Sequence, residues 1–391
     1  MKLVLRPLKS CLLPTLVLLG LPGLTFAQQY QVTPLVSDIA SMAPLQDKHL
    51  QNPWGITRSP GGGPWWVSNN NSGTSTLYSS NGLTATIVSI PPNGFVTVPP
   101  PGFEPSASST PTGIVFNGSA TDFLLKDGKT PAHFIFSTED GTISAWGGGA
   151  NAELEVDHSD NGSGAVYKGA TSGEVDGRKY LYVTNFRSGA VEIYDTAFKR
   201  AHFGDDAFKA DGDCDHDDRR DGRKDCDDDR IPDGFAPFNI QNIGGVLFVT
   251  YAKQDAAKHD DVAGEGLGFV EIFTPKGRHI GHLPHGNWFN APWGVVWTTR
   301  DFGEFSNSIL VGNFGSGWVA AFNGFTYKFE GFLRNPDNSL LTIDGLWSLA
   351  FGNDGSAGPA NTLFFSAGPN SELDGLFGTI TPVNGLDGDE E

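Results

Sequence analysis

Cysteine and methionine are scarce in this chain, 3 and 2 of 391 residues. No C-x-x-C pair, P-loop, H-E-x-x-H or G-x-S-x-G elbow is present, which removes the ready signatures of redox, nucleotide, zinc-peptidase and serine-hydrolase chemistry. Positive charge is short as well. With 26 Lys and Arg against 45 Asp and Glu, the formal charge is −19. Such acidity argues against nucleic acid or anionic lipid as a partner and attracts cations. No long stretch carries the 3.6-residue apolar period, so helices should be few. What remains is turn-rich. The 51 Gly and 25 Pro suit an all-β protein of many short strands.

An apolar run does stand near the start. Lys2, Arg6 and Lys9 precede a stretch from Cys11 through Leu21 that includes Pro14, and Thr25-Phe26-Ala27 closes it. A basic start, a short apolar middle and an A-x-A-like end predict a secretory signal peptide over 1–27. The run is too short to span a bilayer comfortably. The mature chain should therefore lack a membrane span and be secreted, extracellular or periplasmic. Two cysteines would remain, Cys214 and Cys226, and an exported chain most simply pairs them. Closing a loop of about a dozen residues is worth about 3 kcal/mol by chain entropy.

Self-similarity organises the rest. Asn52-Pro53-Trp54-Gly55-Ile56 returns as Ala291-Pro292-Trp293-Gly294-Val295. Weaker echoes begin at Pro111, Ala236 and Gly345. After each comes a short apolar strand ending in small polar residues, a glycine turn and a second alternating strand. A period of roughly 40 to 50 residues built from strands alone predicts a β-propeller. Blades are expected from Asn52, Pro111, Val166, Phe235, Asn290 and Leu346. The proline-rich piece from Pro91 to Pro105 reads as a loop, because proline removes ladder donors. The last blade is one strand short, and an unpaired edge is a liability. Tyr30–Val36 is the spare strand that would close a six-bladed ring over 28–382, leaving 383–391 as an acidic tail. The recurring Trp54, Trp293 and Trp347 read as core, filling the wedge between neighbouring sheets. Trp318 and Phe186, at turn edges, read as exposed contacts.

Alternating strand directions sort the loops by face. The loops between second and third strands and those joining blades share one face. They include Asn69–Asn71, Glu139-Asp140, residues 252–267 and Asn370–Asp374. Function sits on loops held by a rigid scaffold, so this is the expected working face.

Blades four to six carry a more specific likeness. Ala236-Pro237-Phe238-Asn239-Ile240-Gln241, Val249–Gln254, His259–Gly264, Ile309–Gly315 and Asp344-Gly345-Leu346-Trp347 resemble a family of uncharacterised exported bacterial proteins, sometimes associated with C-terminal sorting signals. That family is similar in style to NHL-type six-bladed propellers. The resemblance spans nearly the whole mature chain and implies fold and export, but no activity. This chain departs from it in lacking a C-terminal sorting helix and in carrying an acidic insertion over 205–233.

Within that insertion Asp225, Asp227, Asp229 and Asp233 stand at positions one, three, five and nine, with the Ile231 carbonyl between. Alternate carboxylates on a tight loop can converge on Ca2+. The stretch resembles a thrombospondin type 3 repeat, and Asp211, Asp213 and Asp215 form an upstream half-match. Arg230 occupies the usual glycine position, and Ala236 falls where an EF-hand has its glutamate. The plain alternative is a solvated charge run. His259, Asp260 and Asp261 could serve as acid, base or metal ligand, or simply make turn hydrogen bonds. Asn52, Asn290 and Asp344 begin inner strands beside the channel, where six-bladed lactonases bind calcium; the alternative is turn capping. His279, His282 and His285, spaced by three, should alternate between strand faces and not converge.

The expected function is that of a secreted, monomeric β-propeller serving as a binding or interaction module for an extracellular ligand or protein, stabilised by calcium. The alternative is a metal-dependent hydrolase or lactonase-like enzyme with its site at the channel mouth.

Overall fold

A computed structural model describes residues 29–103, 108–160, 163–210 and 231–383. The leader segment, Cys214, Cys226, Asp211, Asp213, Asp215, Asp225, Asp227 and Asp229 lie outside the described residues, as does the tail from 384. Six sheets make up the chain, antiparallel but for the short strand Leu45–Gln46, which runs parallel to Gln29–Ser37. Their inner strands are Pro53–Arg58, Pro111–Phe116, Tyr167–Val175, Phe235–Ile243, Pro292–Trp297 and Leu346–Phe351. These strands define blades one to six, and consecutive inner strands pack on each other, the sixth on the first. No α-helix occurs among the described residues, and no helix there is long and apolar enough to cross a membrane.

The ring closes through its two ends. Blade six runs Leu346–Phe351, Leu363–Ala367 and Leu376–Val383, and Gln29–Ser37 adds the missing outer strand. Tyr30 lies opposite Pro382, Val32 opposite Ile380 and Val36 opposite Phe377. The stretch expected to be a plain loop after Pro91 contains Val96–Thr97, which pairs with Thr74 and Ser75 at the edge of blade one. The proline run therefore interrupts the ladder without abolishing it.

The repeated motif has a structural meaning. In every inner strand the pairing register slips just after the motif opens, between Pro53 and Ile56 in blade one and at matching places in the others. Such a bulge re-aims a side chain. The re-aimed residues include Trp54, Lys168, Phe238, Trp293 and Trp347, which meet around the axis. This corrects the expectation that the tryptophans fill wedges between sheets. Trp54 and Trp347 stack with centroids 3.5 Å apart, and Trp293 meets Trp54 edge-on at 6.2 Å. Phe186, expected to be exposed, is fully buried and packs on Phe238. Trp318 is half-buried against Phe332.

The glycine that follows is required by closeness. A Cβ on Gly294 would lie 2.6 Å from the Trp347 carbonyl oxygen, and one on Gly113 would lie 2.5 Å from the Ala170 nitrogen. Inner strands thus approach one another backbone to backbone. Wedges between blades are filled by other rings, such as Trp65 against Phe364 and Phe377.

Candidate functional site

The inner strands begin on one face, and the loops between second and third strands emerge there too. Lys168 is the second residue of its inner strand and points into the channel above the aromatic layer. Its ammonium lies 5.0 Å from the Trp54 ring centre and 5.8 Å from that of Phe186, with the side chain 2% exposed. A buried ammonium needs paired carboxylates. Glu139, from the blade-two loop, accepts a hydrogen bond from it, and Asp260, from the blade-four loop, lies 3.4 Å away. Desolvation pulls the Lys168 ammonium pKa down, but Glu139, Asp260 and Asp261 outweigh that and raise it.

Further groups complete the mouth. Asn70 donates to the second Glu139 oxygen at 2.7 Å. His259 shares a 2.8 Å hydrogen bond with Asp260. That bond holds the Asp260 carboxyl down at about 2 and raises the His259 imidazole. Asn52 donates to Glu372 at 2.8 Å, and Asn71 donates to the Glu372 carbonyl at 2.7 Å. Glu372 reaches the mouth on a loop where Asn370, Ser371 and Glu372 all have positive φ, at 56°, 55° and 66°. Three consecutive left-handed residues are costly, and such strain collects at functional loops. Burial raises the Glu372 carboxyl, with repulsion from Glu139 and Asp260 adding to it. Burial also pushes Asp261 up to about 7, with Lys168 opposing and Glu372 and Asp260 reinforcing.

The sequence-expected residues therefore fall in two groups. His259, Asp260, Asp261 and Asn52 belong to one charged cluster at the mouth. Asn290 and Asp344 are held by loop amides: Asn290 Oδ1 accepts from Gly264 at 2.7 Å and Asp344 accepts from Asn370 at 2.9 Å. A one-residue offset in the repeat accompanies this difference. Asn52 directly precedes Pro53, whereas Ala291 and Gly345 hold that place in blades five and six. Asp233 is exposed, and its carbonyl accepts from Lys253 at 3.2 Å. Ile231 is partly buried against the blade-three to blade-four core.

Lys168, Glu139 and Glu372 were not singled out as site residues from sequence. The signal for Lys168 was present. Tyr167-Lys168-Gly169-Ala170 is the blade-three copy of the repeat, with lysine where blades one, five and six have tryptophan. Glu139, His259 and Asp260 bring ligand atoms within 4.8 Å of one another, so the cluster could hold a metal ion. The Lys168 ammonium already lies against two of them and would compete.

The chain is thus a six-bladed β-propeller with a charged axial mouth over an aromatic plug. No family model matches the sequence. It is 28% identical over 365 residues to the uncharacterized protein R648 of Acanthamoeba polyphaga mimivirus, covering 90% of this chain and 80% of that one. It is 26% identical over 363 residues to the uncharacterized protein L690 of the same virus, covering 90% and 85%. A solved structure of unknown function from Bacteroides thetaiotaomicron matches with TM-score 0.50 and 9% identity, covering 90% of this chain and 76% of that one. That likeness concerns the fold alone.

Proposed function

We propose that this protein is an exported binding module that takes a cationic group of its ligand at the axial mouth. The observation that carries this reading is the imbalance around Lys168. One buried ammonium faces the carboxyls of Glu139, Asp260, Asp261 and Glu372. Two of those carboxyls are driven up by burial and crowding, so an arriving cation would relieve them. The leader-like segment and the resemblance to exported bacterial proteins support a place outside the cytoplasm. The acidic run from Asp225 to Asp233 supports calcium as a stabilising ion.

The test is calorimetric titration of the full chain carrying Asp227→Ala and Asp229→Ala, which removes the insertion site, with Ca2+ and, in parallel, with a linear polyamine. One saturable site is expected for one of the two, weakened about tenfold or more in Glu372→Gln and Asp261→Asn. Binding that both variants leave untouched would remove this reading.

A second reading rests on Asp261 alone. A carboxyl held at about 7 beside the His259–Asp260 pair can pass protons near neutrality. It supports the hydrolase alternative. Turnover of simple lactones or esters with a rate profile centred near 7, lost in Asp261→Asn, would favour it over pure binding.

A further inference from the structure

The outer half of blade four carries a second convergence of ligands, away from the mouth. On sequence spacing alone, His279 and His282 belong on opposite faces of a strand. The structure overturns that. His279–His282 pairs with Gly268–Phe273 so that His282 lies opposite Glu271, Gly281 opposite Ile272 and His279 opposite Phe273. Ile280 is the extra residue of a bulge and turns outward, 44% exposed. One extra residue resets the two-residue alternation. His279 and His282 therefore share the face of Glu271, and ligand atoms of all three lie within 4.8 Å of one another.

We propose that Glu271, His279 and His282 bind a first-row transition ion, Zn2+ by preference. Two imidazoles and one carboxylate form a borderline nitrogen and oxygen set of the kind zinc takes, with a fourth position left for water. The burial pattern agrees. Glu271 is 3% exposed, and among the described residues its ion-pair partner is His279, at 2.6 Å, with no lysine or arginine. A buried carboxylate needs a cation close by. His279 already lies against that carboxylate, and a dication held between them would supply the charge and take His282 as a further ligand. The 2.6 Å contact then opens to about 3.3 Å, the edge of a tetrahedron with ~2.0 Å bonds. All three ligands sit on paired strands, so the set is rigid rather than assembled from loops. His285 lies outside it, with its ring stacked on Phe269 and its Nε2 on the Gly266 carbonyl.

The test uses the full chain in excess Ca2+, which saturates oxygen-only sites and leaves a nitrogen-containing site for zinc. Zn2+ titration should show one tight site per chain and a raised melting temperature. Co2+ in its place should give the intense visible bands of four-coordinate ligation. His279→Gln and His282→Gln should each weaken Zn2+ binding about tenfold or more, while Glu372→Gln leaves it unchanged. Absence of tight Zn2+ binding, undiminished binding in both histidine variants, or a weak six-coordinate Co2+ spectrum would each overturn the proposal. The Co2+ spectrum is read on the unaltered chain, so it decides the matter even if a histidine variant fails to fold.

Discussion

Lys168 holds in blade three the place that Trp54 holds in blade one, and its ammonium lies 5.0 Å from the centre of that indole. Five side chains at this repeat position meet on the axis, and four of them are aromatic rings. The lysine puts one charge into an otherwise apolar plug. The acidic mouth follows from that exchange, because a buried ammonium requires carboxylates and the nearest loops supply them.

Replacing Lys168 with Met should destabilise the fold by about 3–5 kcal/mol, since Glu139 would be left buried without its cation. The double variant with Glu139→Gln should recover much of that loss. Denaturant unfolding of the two variants checks this, and equal stability of K168M and the parent would contradict the pairing.

Stability should depend on pH through Asp261. Its carboxyl stands at about 7 in the folded chain against 3.8 as the reference. The folded state therefore holds the proton more tightly. Stability from this group is present below about 4 and is lost as pH rises towards about 7. Asp260 acts in the opposite sense, adding stability above its reference of 3.8 that is lost as pH falls towards about 2. Asp261→Asn should flatten the neutral limb of the curve, measured by denaturant midpoint across pH.

Ring closure should be sensitive at Tyr30. The ring is fully buried, lies tilted against Phe302 and parallel to Phe305, and donates its hydroxyl to the Phe302 carbonyl at 3.0 Å. Tyr30→Ala should cost about 3–5 kcal/mol, in the range of large aromatic truncations. Tyr30→Phe should cost about 1–2 kcal/mol, since the hydroxyl also accepts from the Phe305 amide at 3.4 Å. Thermal unfolding of both variants separates packing from bonding.

Calcium at the acidic insertion should appear as chelator-sensitive stability. Removing Ca2+ should lower the melting temperature of the parent chain, and Asp227→Ala with Asp229→Ala should abolish that response. A melting temperature indifferent to chelator would end the calcium reading.

The repeat, the strand positions and the closing strand were legible because they are local or periodic. P-W-G opens the inner strands of blades one and five and weaker echoes open the others, and a blade lacking one strand demands a partner from the other end of the chain. The face that carries His259, Asp260 and Asp261 followed from strand alternation alone. The purpose of the tryptophans did not. A large residue repeated at one blade position can fill a wedge or a channel, and spacing cannot separate the two.

Sequence by itself determined the six sheets, their order and the side on which the acidic loops emerge, because hydrogen-bonded strands obey fixed periods and a ring must close. Tertiary structure alone decided which side chains meet. Bulges set that outcome in two places. One in each inner strand turns Trp54 and Lys168 towards the axis, and one in the outer strand of blade four brings His279 to the face of His282. A bulge inverts alternation by a single residue, and its position depends on the partner strand.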